Sequence, residues 1–126
     1  MANLRSESMT EKRFRSMVAK ALFPLGIRFR KNVRHLPGSP DIVFHKHRIV
    51  VFFDGDFWHG KHLDRMRAKG SPVKWIRKIE NNIARDKRQE NELLRDGWTI
   101  LRIWESDFKK YPKREVVRVT CLFITE

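Results

Sequence analysis

The sequence predicts an α/β domain built on a central mixed β-sheet flanked by helices. Three observations carry this: an opening segment with apolar residues at helical spacing, short apolar runs of strand length at 41–44, 48–53 and 98–104, and a long amphipathic stretch before the last of them. At 126 residues the chain has the length of one domain, 1–126, and its 40% hydrophobic content supplies one core.

Phe14, Met17, Val18, Ala21, Leu22 and Leu25 open the chain as a helix from about Ser8 or Thr10, and Gly26 follows where a left-handed cap would sit. Pro24 makes the last turn irregular. Ile27 to Lys31 is a candidate strand, and Leu36-Pro37-Gly38-Ser39-Pro40 is a turn that no helix crosses. Asp41–Phe44 and Arg48–Phe53 are strands joined by His45-Lys46-His47, short enough for a hairpin and therefore antiparallel. The second run does not alternate polar with apolar residues, so it belongs at the centre of the sheet, covered on both faces.

From Gly55 to Pro72 the pattern breaks into a polar and aromatic loop, long enough to be functional. A helix from about Val73 to Arg95 then turns Ile76, Ile79, Ile83 and Leu93 or Leu94 inward and closes at Gly97. Trp98–Trp104 is another buried strand. Ser106-Asp107 and Tyr111-Pro112 are helix starts in a helical terminal segment, where Cys121 is an ordinary buried thiol.

Lys and Arg number 28 against 15 Asp and Glu, a net charge of +13 that implies a polyanionic partner, nucleic acid first. A solvated basic surface, a membrane-surface protein and a binder without chemistry are the competing readings. No apolar run approaches the roughly 18 residues that span a bilayer. The opening MANLRSESMT has no apolar signal core, so the chain is expected in the cytoplasm, away from membrane.

Asp41 follows Pro40 at the start of a buried strand, where a carboxylate is costly unless a cation meets it; a turn aspartate capping its own backbone is the alternative. Asp54 ends the neighbouring strand, so Asp41 and the 53–54 backbone can share one hard cation. His59, in Phe57-Trp58-His59-Gly60, has the pKa range of a general base, although His35, His45, His47 and His62 show how freely the chain uses histidine. Asp86 shares a helix stripe with residues 79, 83 and 90 and suits either a histidine N–H or an arginine such as Arg85 or Arg102. Glu11 falls on the apolar face of the opening helix, in reach of a metal-bound water or simply as a favourable first-turn charge. Phe57, Trp58 and Trp75 interleave with Lys61, Arg65, Arg67 and Lys69, a pattern that suits DNA bases and phosphates, core packing being the alternative for the rings.

Leu36-Pro-Gly-Ser-Pro-Asp41-Ile-Val, Val51-Phe-Phe-Asp-Gly-Asp-Phe-Trp-His59-Gly, Trp75, Lys78-Ile79, Asn82, Arg85-Asp86 and Gly97-Trp-Thr-Ile-Leu-Arg-Ile-Trp-Glu105 together resemble the very-short-patch repair endonuclease family, from about residue 6 to residue 108. The resemblance implies the restriction-endonuclease-like fold and cutting of double-stranded DNA with Mg²⁺, Mn²⁺ substituting. It implies that Asp41 and the Phe53 main-chain carbonyl hold the metal and that His59 is the base. Asp86 would orient His59, Glu11 would support the metal-water shell, and Phe57, Trp58 and Trp75 would wedge into the duplex.

Repair members carry a histidine where this chain has Asp54, which adds a metal ligand or replaces a phosphate contact. The wider superfamily's acid-x-Lys motif is absent from Asp54-Gly55-Asp56. Where repair members hold a structural zinc, this chain has Asp56, Lys61, Leu63 and Ser106, so no structural zinc is expected. The opening helix is about one turn longer between Glu11 and Leu25-Gly26, which preserves the helix face. T:G mismatch repair, a same-fold nuclease of a restriction, phage-defence or homing system, with or without a protein partner, and a non-catalytic DNA-binding module are the functions left open.

Overall fold

A computed structural model describes residues 8–124, so most of the opening segment read above for a signal core lies outside the described residues. Ser8 starts the first helix, α1 (Met9–Leu22), by accepting the Glu11 N–H on its hydroxyl at 3.0 Å. Phe14, Val18 and Leu22 form its buried stripe, and Pro24 tightens the end into a short 3₁₀ turn over Phe23–Leu25. Gly26 takes φ 82°, the left-handed cap expected of it.

Strands β1 (Arg30–Lys31), β2 (Ile42–Phe44), β3 (Ile49–Asp54) and β4 (Thr99–Trp104) form one sheet in the order β1-β2-β3-β4. The first two junctions are antiparallel and β3–β4 is parallel, the mixed sheet the sequence predicts. β3 is buried along its whole length, and its junction with β2 is the tight 3₁₀ turn His45–His47.

Four expectations need correction. The first strand is Arg30–Lys31 rather than Ile27–Lys31, because β2 ends at Phe44 and leaves residues before Arg30 little to pair with. The stretch 55–72 is not all loop: α2 (Leu63–Lys69) forms from good helix formers, with Leu63 buried and Met66 half-buried beneath it. β4 is an edge strand whose one fully buried residue is Ile103. Cys121 is exposed, since two residues past the buried Val119 a helical path has turned to the opposite side.

Helix α3 (Val73–Arg95) crosses from α2 to β4, with Ile79 and Leu93 fully buried; Leu94 is exposed, and Ile83 is 37% exposed because it lines a cleft. Helices α4 (Glu105–Lys110) and α5 (Pro112–Thr120) follow. Alternation along the strands divides the apolar residues between two clusters. Phe14, Phe44, Val51, Phe53, Ile103, Phe108 and Val119 pack where α1, α4 and α5 cover one face, and Val43, Val50, Phe52, Leu93 and Trp98 pack beneath α3 on the other. Among the described residues, no helix is long and apolar enough to cross a membrane.

Candidate active site

Asp41 is 3% exposed, and its Oδ2 accepts the Phe53 N–H at 2.6 Å. Its own N–H donates to the Val51 carbonyl at 3.1 Å, which seats it beside the end of β3 just before β2 begins. In an extended strand a residue's N–H and C=O share one edge, so the Phe53 carbonyl faces the edge that Asp41 occupies. Two hard oxygens on one strand edge suit Mg²⁺, which takes few protein ligands and keeps several waters. Among the described residues no group of three or more His, Cys, Asp or Glu is placed to hold a metal, so an ion there would complete its shell with water and DNA oxygens.

Asp54, next along β3, points to the α3 face with Phe52. Arg102 Nη1 donates to both of its oxygens, at 3.0 and 2.8 Å, while Arg102 Nε donates to Glu90 at 2.5 Å and the guanidinium lies 4.2 Å from the Phe52 ring centroid. Asp54 is therefore engaged by a guanidinium rather than facing the edge shared by Asp41 and Phe53. Burial raises the Asp54 pKa above the ordinary carboxylate value, more than Arg102 and His59 lower it. Burial alone would lower that of Arg102, but Asp54 and Glu90 raise it, so the guanidinium keeps its charge.

His59 enters the same wall from the loop after β3. Its Nδ1–H donates to Asp86 Oδ2 at 2.8 Å, and its Nε2 lies 3.8 Å from Asp54 Oδ1. The Asp86 hydrogen bond raises the His59 pKa, outweighing burial, and the Asp54 charge adds to it. Burial would raise the Asp86 pKa, but the His59 bond, with Arg102 and Arg85, holds it low. Two clefts meet at this wall. One of about 170 Å³ opens toward Ile83, Lys87 and Trp104, and one of about 300 Å³ opens toward Gly38, Ser39 and Gln89.

The loop that delivers His59 is pinned from α3. Asn82 Nδ2 donates to the Trp58 carbonyl at 3.1 Å, and Gly60 takes φ 84° with its α-carbon so close to α3 that an added Cβ would lie 2.5 Å from Ile83 Cδ1. Phe57, Trp58 and Trp75 form one surface cluster, with ring centroids 4.6, 6.3 and 5.6 Å apart in the pairs 57–58, 57–75 and 58–75 and exposures of 42, 39 and 37%. Lys78 and Lys74 stand over Trp58 and Trp75 at 4.8 and 5.5 Å. Arg65 and Lys69 are exposed on α2, Arg67 pairs with Glu80 at 2.6 Å, and Lys61 turns away from the aromatic cluster toward Ser106 and Asp107.

Glu11 lies apart from His59. It is 4% exposed and receives Arg15 Nη1 at 3.1 Å, and α1 runs so that Phe14, one turn on, stacks against Phe53 at 5.1 Å. Glu11 therefore reaches the end of the sheet that holds Asp41, but from the α1 face. A larger groove of about 560 Å³ between α1 and α4, lined by residues such as Met9, Arg13 and Phe108, contains neither acid nor histidine. Arg102 and Glu90 are the members of the wall that pattern reading did not assign to Asp54. The available signal was a lone arginine inside the apolar run Thr99–Trp104, which needs an acid from a neighbouring element.

The family model described as DNA mismatch endonuclease Vsr matches residues 1–65, just over half of the 126-residue chain. The type II nicking enzyme V.HpaIIP of Haemophilus parainfluenzae is 43% identical over 100 residues, covering 78% of this chain and 71% of its own length. V.NmeDIP, a type II nicking enzyme of Neisseria meningitidis serogroup C, is 45% identical over 95 residues, and this chain spans 64% of it. The DNA mismatch endonuclease Vsr of Escherichia coli K12 is 33% identical over 104 residues, 82% of this chain and 67% of that protein. With this likeness over most of its length, and the mixed sheet that carries the clustered acids, histidine and arginine, the chain belongs to the Vsr family of DNA endonucleases.

Proposed function

We propose that this protein is a Mg²⁺-dependent nicking endonuclease that hydrolyses one phosphodiester bond of double-stranded DNA, with T:G mismatches as its substrate. The observation that carries the reading is His59, fixed through Nδ1 by Asp86 at 2.8 Å, so that Nε2 is the nitrogen left to face a water. Asp86 holds the tautomer and favours the imidazolium once the proton has moved. Asp41 and the Phe53 carbonyl would hold the magnesium, which when bound would supply positive charge near the phosphate and make a bound water more acidic. Arg102 keeps Asp54 paired beside His59, so a second carboxylate can stand next to the phosphate path without repelling it.

The described residues carry one such set of groups, which agrees with the nicking enzymes among the relatives. Mismatch preference rests on the name of one relative and on the exposed rings of Phe57, Trp58 and Trp75, which suit insertion where stacking is already weakened. The test is incubation of supercoiled plasmid, and of matched and T:G-mismatched duplexes, with wild type and Asp41→Ala in Mg²⁺ or EDTA. Nicking that requires Mg²⁺ and falls at least about 100-fold in the variant supports the mechanism. Equal cutting of matched and mismatched duplexes removes the mismatch assignment, and salt-sensitive binding without any cutting removes the enzyme.

A further inference from the structure

The segment that carries Phe57, Trp58 and His59 has no regular structure, and two of its internal hydrogen bonds, His59 N–H to Gly55 and Gly60 N–H to Phe57, are long at 3.4 Å. Besides its contacts with α3, it is tied down by side chains at its two ends, and both ends attach to one place, the corner where β4 runs into α4. Asp56 Oδ1 accepts the Ser106 N–H at 3.2 Å. Lys61 Nζ donates to Ser106 Oγ at 2.5 Å and to Asp107 Oδ1 at 2.9 Å, and lies 5.7 Å from the Trp104 ring centroid. The Lys61 N–H donates to the Asp56 carbonyl at 3.1 Å, so the two anchors are also tied to each other.

We propose that Asp56 and Lys61 are positioning residues: together with Ser106 and Asp107 they form a polar clasp that sets His59 and the aromatic cluster against the sheet, and Lys61 braces the loop instead of touching a DNA phosphate. The proposal rests on the reading of His59 as the base. A base must be held to within about half an ångström of its working place, and the clasp adds to the contacts from α3 an anchor at each end of the loop. The Lys61 side chain is three-quarters covered, and its ammonium donates to two oxygens of α4. An ammonium so placed contributes little to phosphate attraction, while removing it leaves Asp107 and the Ser106 hydroxyl without their shared donor.

The experiment compares wild type, Lys61→Met, Lys61→Arg and the exchanged pair Lys61→Asp with Asp107→Lys, after thermal melts establish that each is folded. Single-turnover nicking, DNA affinity against salt, and the Trp58 indole resonance in labelled free protein are read for each. The clasp predicts that Lys61→Met nicks about 10-fold or more slowly with its salt slope unchanged, that Lys61→Arg and the exchanged pair recover most of the rate, and that the Trp58 resonance moves in Lys61→Met alone. A Lys61→Met protein with unchanged nicking rate and a salt slope lower by about one makes Lys61 a phosphate contact and overturns the proposal. If wild type cuts no substrate, the functional reading fails, and the Trp58 resonance then decides the clasp: moved in Lys61→Met and restored in the exchanged pair supports it, unmoved overturns it.

Discussion

Asp86 shows what one carboxylate does for a histidine. Its hydrogen bond is the largest reason that the His59 pKa lies above the ordinary 6.5 of the residue. A base works as the neutral ring, so nicking by wild type is expected to fall as pH drops through that raised pKa. Asp86→Asn removes the charge, lowers the His59 pKa and moves the acid limb to lower pH, while the plateau rate falls about 100-fold because the ring loses its fixed tautomer. A pH–rate profile beside an NMR titration of His59 checks both. The linkage has a definite sign: the raised His59 pKa stabilises the fold fully below the unfolded value, and that contribution is lost as pH rises through the folded one. Arg102→Met acts differently, leaving the nearly buried Asp54 and the half-buried Glu90 without their cation. It is expected to destabilise the protein by about 3 kcal/mol in urea denaturation. The burial of Asp41 and the inward placing of Asp86 were legible in the sequence, from strand pattern and helix period, whereas His59 stands in a loop and was marked by its chemistry alone. The pairing of Asp54 with Arg102 was not, because it depends on the β3–β4 register, which sets Phe52 beside Arg102.

At the scale of elements, the hairpin β2–β3, the helix α3 and the irregular end of α1 were legible because each has a local cause: a short polar turn, a long amphipathic period and a proline. The reach of β1 and the exposure of β4 were not, since strand length and edge position depend on which neighbours exist. Helix α2 was hidden for another reason, being short and flanked by glycine and polar residues that read as loop. The loop between β3 and α2 depends on its close approach to α3 at Gly60. Gly60→Ala meets both the positive φ and the contact with Ile83, whose flexible end can yield. A loss of about 1–2 kcal/mol is expected in chemical denaturation, with nicking falling further than stability explains because His59 is displaced with the loop.

For the whole molecule the net charge of +13 is the dominant fact, and Lys74 and Lys78 on α3 place part of it directly over the aromatic cluster. If the bound protein meets six or more phosphates, DNA affinity is expected to fall about 1000-fold or more between roughly 50 and 200 mM salt, as read by a titration of duplex binding. The family and the kind of partner were legible at this scale from motif order and charge. Substrate choice was not, because it lies in how exposed rings and loops meet a duplex.

The parallel pairing of β3 with β4 also governs when the site comes into being. Asp54 and Arg102 are separated by 48 positions along the chain and meet only after α3 has crossed between their strands. Contacts so distant in sequence form late, once loop closure has been offset by packing. A chain still emerging from the ribosome therefore carries His59 and Asp86 well before the guanidinium that holds Asp54. The enzyme is expected to be silent toward DNA until its last strand has docked.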